Sequence, residues 1–269
     1  MTALRAELRK YLWVGVTSAR SNLAYLGEVA SRTVFLFIIL FIFMQLWKIT
    51  YEADGSARLG GLTLAQMLWY LGMAEAFIMS NGNPSAEIDV DVRTGALAVQ
   101  LIRPMSYPLY RMGVALGDRL VRFALNLGIA ILIVVVLVGF IPFSAGGLLL
   151  FLVSLPLAFV LDFLSDLIIG LCAFWLEDTN GLRLLYRRAT MILGGMMIPL
   201  SLFPDWTQPI LKSLPFASII YGPAQLFVAP ELGFFTELLI KQGLFIVLYV
   251  LVAGLIYRAG MQRISSNGG

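Results

Sequence analysis

A polar island between two apolar stretches organises this chain: residues 87–108 read EIDVDVRTGALAVQLIRPMSYP. Three carboxylates, those of Glu87, Asp89 and Asp91, stand at its start, and Arg93 follows them. Prolines punctuate its end. A simple connector would not concentrate charge in this way, so the composition predicts a structured polar element.

The island carries the signals of a short helix. A helix that begins near Pro84 places the acids in its first turns, where carboxylates complement the positive end of the helix dipole. Gly95 offers a C-terminal stop, because glycine readily adopts the left-handed conformation that ends many helices. We therefore predict a helix over residues 84–95. Two interpretations of this segment stay open. Either it receives a mechanical input from a cytosolic partner, or it is a solvated loop whose charges only fix the orientation of the chain in the membrane.

The composition is too apolar for a water-soluble domain. Of the 269 residues, 59% are hydrophobic and 13% are charged, and the mean hydropathy is +0.87. Soluble domains are closer to half apolar and a quarter charged. Because one core of this size cannot bury so much apolar surface, we expect lipid to be the solvent.

Several kinds of site are excluded by the same inventory. The net charge of +3 is not gathered into one basic tract, so nucleic acid is not an expected partner. The chain has no histidine and a single cysteine, Cys172, which removes His-based triads and any intrachain disulfide. The phosphate-loop pattern G-x-x-x-x-G-K-[ST] is absent. We therefore expect no bound cofactor, and an ion gradient or another subunit as energy source.

Hydropathy predicts an all-α polytopic membrane protein with six transmembrane helices. The predicted spans are residues 29–47, 62–80, 123–140, 148–175, 184–203 and 234–257. Residues 108–122 are too basic to span, and we expect them to form the cytosolic start of the third helix. The whole chain, residues 1–269, is thus one transmembrane domain.

The N-terminal residues 1–20 are too polar to span. Leu4, Leu8 and Leu12 fall at helical spacing on one face, with charged residues largely off it. This pattern is typical of a helix that lies in the cytosolic headgroup region. A short solvated leader is the alternative.

Residues 204–230 contain five prolines, yet stay apolar between them. No piece is long enough to cross a hydrocarbon core of about 30 Å at 1.5 Å per residue. We interpret the segment as short re-entrant helices that dip into the outer leaflet before the sixth span. An ordinary outer loop is the alternative.

The distribution of basic residues predicts the orientation. Only four of the 19 lysines and arginines, Lys48, Arg58, Lys212 and Lys241, fall on the predicted outer side. The positive-inside rule then places the N- and C-termini in the cytosol.

Three acids lie within predicted spans: Glu75, Asp162 and Asp166. Intramembrane carboxylates are costly, so each is a functional candidate. Asp162 and Asp166 are four residues apart and share one helix face. They either line a polar path for protons or cationic substrate, or pair with Arg119, Arg122 or a residue across a subunit interface. Depth disfavours an arginine partner for Asp162, which we expect near mid-membrane.

Several blocks of this sequence resemble the membrane subunit of ABC-2 type transporters, in which the ATP-binding protein is a separate chain. They cover the second to the sixth span. The blocks are RTGAL (93–97), LIRPMS (101–106), AFWLEDT (173–179), the run that opens with GG (194–199), FPDW (203–206) and LPF (214–216).

The resemblance implies six helices per subunit, an N-terminal interfacial helix, re-entrant outer helices, and a coupling helix on residues 84–95. Carried over by position, Glu87, Asp89, Asp91 and Arg93 would contact a cytosolic ABC ATPase subunit, present in two copies that hold ATP and Mg²⁺. A second permease subunit, identical or related, would complete the complex. The expected location is the bacterial inner membrane.

Three functions follow as hypotheses. The first is the permease of an ATP-driven exporter, with no catalysis in this chain. The second is a stand-alone proton-coupled carrier that uses Glu75, Asp162 and Asp166. The third is a membrane scaffold that transports nothing.

Overall fold

The computed structural model describes the backbone of residues 2–22, 26–141 and 145–267, and the side chains of 9–21, 34–141 and 145–263. No β-strand occurs among these residues, and the predicted all-α class is confirmed. The helices are α1 (Thr2–Asn22), α2 (Leu26–Asp54), α3 (Leu64–Ser80), α4 (Pro84–Arg93), α5 (Ala96–Leu101), α6 (Tyr107–Val138), α7 (Ala145–Leu171), α8 (Asn180–Leu193), α9 (Gln208–Lys212), α10 (Pro215–Ile219), α11 (Tyr221–Val228) and α12 (Leu232–Asn267), with 3-10 turns at Cys172–Phe174 and Leu200–Leu202.

Within the described residues, four helices are long and apolar enough to cross a membrane. They correspond to the predicted first, third, fourth and sixth spans. Their described ranges are Val34–Asp54, Tyr107–Val138, Ala145–Phe174 and Leu232–Arg263, and each contains a strongly apolar window. Helix α6 begins at Tyr107, well before the predicted third span of residues 123–140, in the basic residues that follow the polar island.

The predicted second span is the shorter helix α3. Its start is fixed by a capping box, in which Thr63 Oγ1 accepts from Gln66 N–H (3.3 Å) and Gln66 Oε1 accepts from Thr63 N–H (3.0 Å). Its 17 residues measure about 26 Å, slightly less than the hydrocarbon core. Residues 67–77 are all buried, so α3 is the central helix of the bundle.

The predicted fifth span, residues 184–203, is not one helix. Helix α8 ends at Leu193, and Gly195 turns the chain with φ of 71°. The carbonyl of Gly195 accepts a hydrogen bond from the buried Tyr70 hydroxyl, which fixes the turn. With 14 residues, α8 measures about 21 Å and cannot cross the hydrocarbon core unaided.

Residues 204–230 form three short helices, α9 to α11, none longer than eight residues. Pro209 and Pro215 stand in the first turns of α9 and α10, where the missing N–H costs no hydrogen bond. Phe227 of α11 packs against Trp69 of α3, with ring centroids 5.8 Å apart. The segment thus consists of short helices, and its re-entry into a leaflet stays a prediction.

The N-terminal segment is helical and crosses α6 at a very short distance. A side chain at Gly117 would place its Cβ 2.1 Å from the carbonyl oxygen of Gly15, so the two backbones touch. The Tyr11 hydroxyl also accepts a hydrogen bond from Ser106 N–H (2.9 Å). Leu12 is exposed, as an interfacial helix requires, while Leu4 and Leu8 lie outside the described side chains.

Candidate functional site

Two polar groups of side chains stand out from this apolar bundle. We call residues 83–106, which contain α4 and α5, the elbow. We call Asn81, Arg119, Asp162, Asp166 and Tyr186 the buried polar cluster. The elbow connects α3 to α6, and the buried polar cluster lies between α3, α6, α7 and α8.

Helix α4 begins at Pro84 and ends at Arg93, followed by Gly95 with φ of 74°. Its inner face lies directly on α7: a Cβ at Gly170 would be 2.7 Å from Cβ of Ile88. Ile88 itself is fully buried. The sequence signals for this helix, Pro84 and Gly95, are local and lie at its two ends.

Asp91 points into the protein. Its Oδ2 accepts hydrogen bonds from Arg111 Nε (2.8 Å), the Tyr107 hydroxyl (2.8 Å) and Gln100 Nε2 (3.3 Å). Arg111 Nη2 forms a further, very short contact with the same oxygen. Because Arg111 and Tyr107 belong to the first two turns of α6, Asp91 fastens α4 to that helix.

Asp89 also points inward, toward the segment between α7 and α8. Its Oδ1 accepts a hydrogen bond from Thr179 Oγ1 (3.0 Å), and both residues are buried. Arg93 Nη2 lies 2.5 Å from Asp89 Oδ2, one turn along the helix. Arg93 Nη1 contacts the Glu177 carbonyl (3.4 Å), so this pair ties α4 to the chain that leads into α8.

Glu87 is the one of the three elbow acids that is exposed. Arg111 Nη1 lies 2.9 Å from its Oε2. Partial burial raises the pKa of the Glu87 carboxyl, and the Arg111 charge opposes that shift. The exposed side of the elbow also carries apolar side chains, with Val90 49%, Val99 64% and Ile102 84% exposed, alongside exposed polar residues such as Arg93 and Arg103. The sequence reasoning missed these three residues, although exposed valine and isoleucine in a polar island were a visible signal.

The buried polar cluster is centred on Asp162. Arg119 Nη1 lies 2.7 Å from its Oδ2, Tyr186 donates its hydroxyl to Oδ1 (2.8 Å), and Asn81 Nδ2 donates to Oδ2 (3.1 Å). Asp162 and Arg119 are each 5% exposed. Of the two interpretations of Asp162, the structure thus contains the arginine pair. The expectation that depth disfavours this pair is wrong. Arg119 lies twelve residues, about 18 Å, from the start of α6 at Tyr107, so it reaches the level of Asp162.

Arg119 has two kinds of partner. The rings of Phe77 and Phe159 lie 4.3 and 4.5 Å from its guanidinium carbon, so both rings add cation–π attraction. Its Nε and Nη2 atoms are buried without a hydrogen-bond partner among the described residues. Arg119 therefore donates to Asp162 through Nη1 and has two further N–H donor atoms, Nε and Nη2, that no described residue accepts from.

Asp166 and Glu75 are satisfied less well. Asn81 Nδ2 lies 3.4 Å from Asp166 Oδ2, while Asp166 Oδ1 has no described partner. Glu75, six residues before Asn81 on α3, is 2% exposed, and its Oε1 also has none. The structure brings Asp162 and Asp166 together. No described hydrogen bond or ion pair joins Glu75 to them.

Arg187 of α8 links the buried polar cluster to the elbow. Its Nη2 donates to the Gly82 carbonyl (2.7 Å) and to Asn83 Oδ1 (2.6 Å), directly before α4. Beside it, a cavity of about 310 Å³ opens along α8 and reaches Arg119 and Asp162. Among the described residues, no cluster of three or more Cys, Asp or Glu side chains could hold a metal ion.

Comparison with known proteins identifies the family. A search of curated proteins returned no match. The family model for the ABC-2 family transporter protein matches residues 35–268, which include both polar groups, most of α2 and the other three long apolar helices. The chain belongs to the ABC-2 family of transporter membrane proteins.

Proposed function

We propose that this chain is the permease subunit of an ATP-driven exporter. It forms the translocation path with a second identical or related permease, and two cytosolic ATPase subunits that hold ATP and Mg²⁺ drive it. The observation that supports this role best is the two-sided construction of the elbow, which contains α4 and α5. One side is fastened to the membrane helices, and the other is free to meet a partner.

The fastened side gives α4 a means to transmit force. Asp91 connects it to α6 through Arg111, and Ile88 packs on α7 at Gly170. Buried, hydrogen-bonded charge pairs of this kind are costly to break, so they hold α4 in one position. A displacement of α4 would therefore move the N-terminal end of α6 and the C-terminal end of α7 with it.

The free side has the chemistry of a docking surface. Val90, Val99 and Ile102 present apolar side chains, and Glu87 adds one carboxylate beside them. An apolar centre with a charge at its rim is the usual composition of a protein interface. We assign the ATPase contact to Glu87, Val90, Val99 and Ile102, with Asp89, Asp91 and Arg93 acting from inside to hold the helix.

The proposed orientation follows the distribution of basic residues. The elbow, the start of α6 and both termini face the cytosol, and α9 to α11 face the exterior. The chain would be a multi-pass protein of the bacterial inner membrane.

The experiment compares two exposed isoleucines on proposed opposite sides. Ile102→Asp should abolish co-purification with the ATPase subunit, identified by mass and by its phosphate-loop sequence, because it buries a charge in the interface. Ile210→Asp, in α9, should leave co-purification unchanged; Ile210 is also exposed, at 57%. The proposal fails if ATPase binding survives Ile102→Asp, or if Ile210→Asp removes it.

The buried oxygens of Asp166 and Glu75 that lack partners favour a second candidate, the stand-alone proton-coupled carrier. Carboxylates of this kind serve proton relays in other transporters. Vesicles that contain this chain alone should then carry cargo when only a pH gradient is imposed, and Asp166→Asn should stop them. Transport that requires ATP and the ATPase subunit excludes this candidate. The absence of transport under both conditions would leave a scaffold role.

A further inference from the structure

We propose that the cavity beside α8 binds an anionic phospholipid of the bilayer, with the headgroup inside and the acyl chains along α8. The binding site is a property of this chain and does not depend on ATP hydrolysis. Only its placement in the cytosolic leaflet rests on the proposed function.

The charges on the cavity wall favour an anion. Arg119, Arg187 and Arg188 line the cavity, and Asp162 is the acid that lines it with them. Asp162 is already paired with Arg119. Even with Asp166, which lies beyond the wall, the arginines exceed the acids by one. A positive charge in apolar surroundings is costly unless an anion accompanies it.

Two of these arginines have no acidic hydrogen-bond partner in the described structure. Arg187 donates to the neutral oxygens of Gly82 and Asn83. Arg188 contacts the Met191 sulfur at 3.7 Å. Tyr186, Thr190 and Asn81 add neutral polar groups to the same wall. A phosphodiester could accept from several of these donors at once, and arginine suits phosphate geometry well.

The remaining wall is apolar, which favours a lipid over a soluble anion. Phe77 and Ile220 are buried in the floor, while Leu184 lies at the rim and is 57% exposed. Outside the rim, Leu185 and Ile192 continue an exposed apolar surface along α8. The volume of about 310 Å³ is at the lower end for ligand pockets, about 300–1,000 Å³, so it suits a headgroup rather than a whole lipid.

Binding is measured on the purified chain without any ATPase. The chain in detergent is mixed with phosphatidylglycerol or phosphatidylcholine of identical acyl chains, and bound lipid is counted by native mass spectrometry. We expect a clear preference for phosphatidylglycerol. Inorganic phosphate and glycerol phosphate serve as soluble competitors, and neither should displace the lipid at millimolar concentration.

Two matched pairs of variants locate the site. Arg188→Gln should reduce the preference about fivefold, the usual effect of one basic residue on anionic lipid. Arg183→Gln removes the same charge from the same helix outside the cavity and should change nothing. Leu184→Trp should block the rim, whereas Leu185→Trp, one residue away and outside the lining, should not.

Equal binding of the two lipids, equal losses for Arg188→Gln and Arg183→Gln, or displacement by glycerol phosphate would each overturn the proposal. None of these outcomes bears on the ATPase contact at Ile102, which is tested by a different measurement. Conversely, loss of the ATPase role would leave lipid binding intact.

Discussion

The elbow and the buried polar cluster both hold an aspartate against an arginine of α6, yet they differ in how well their charges are satisfied. Asp91 in the elbow accepts hydrogen bonds from three side chains, and the unpartnered buried atoms there belong to the neutral Ser85 and Gln100. In the buried polar cluster, Arg119 and Asp166 keep charged-group atoms without a described partner.

This difference indicates different roles. A saturated polar network has one favoured geometry, whereas buried donors and acceptors without partners favour any rearrangement that pairs them. The elbow is thus built to keep one shape. The buried polar cluster is built so that another arrangement of the bundle, or a ligand, can satisfy it further.

The largest effect is expected from breaking the elbow. Arg111→Met removes two hydrogen bonds and the counter-charge from Asp91, whose side chain is 10% exposed. Breaking a buried pair on one side costs about 3–5 kcal/mol, so thermal unfolding in detergent should begin at a much lower temperature.

The matched control for this variant is Arg103→Met. Arg103 is exposed and lies 6.0 Å from the Tyr110 ring centroid, so its loss should change stability by less than about 0.5 kcal/mol. Equal melting temperatures for Arg111→Met and Arg103→Met would contradict the idea that the hydrogen bonds of Asp91 hold the elbow in place.

A smaller effect is expected in the buried polar cluster, where two aspartates one turn apart can be compared. Asp162→Asn removes the counter-charge of Arg119 but keeps an amide oxygen that can accept its hydrogen bond, so the change should cost about 2–3 kcal/mol. Asp166→Asn should change stability by less than about 1 kcal/mol, since Asp166 has one weak hydrogen bond of 3.4 Å and one oxygen without a partner. Chemical denaturation of both variants in the same detergent checks the order, and the reverse order would refute it.

The smallest losses of stability are expected when the hydroxyl of one of two tyrosines, Tyr186 or Tyr107, is removed. Tyr186→Phe removes the donor to Asp162 Oδ1 and should cost about 1–2 kcal/mol. Tyr107→Phe should cost about 0.5–1 kcal/mol, because Asp91 Oδ2 keeps Arg111 and Gln100, and the ring keeps its stacking on Tyr257. If Tyr107→Phe were the more damaging change, the elbow would be less redundant than its hydrogen bonds indicate.

Local signals made much of the fold predictable. Pro84 and Gly95 marked the ends of α4, and long apolar runs marked α2, α6, α7 and α12. The break after Leu193 was not predicted, because the apolar run continues through Gly194 and Gly195. Hydropathy registers composition and is insensitive to a turn made by two small residues.

The acids of the site were predictable, but the directions of their side chains were not. The sequence named Asp89, Asp91 and Asp162, and the helix spacing placed Asp162 with Asp166. It could not show that Asp89 and Asp91 face inward, since that depends on Thr179 and Arg111, which lie 90 and 20 residues away. The rotation of a short helix is set by such distant contacts, and a single sequence does not record them.

The contact between Gly15 and Gly117 has a mechanical consequence. Because the two backbones touch there, a tilt of the proposed cytosolic half of α6 toward α1 would displace α1. A fluorophore attached at exposed Thr17 would then report the motion of α6 from the helix that we expect to lie in the headgroup region.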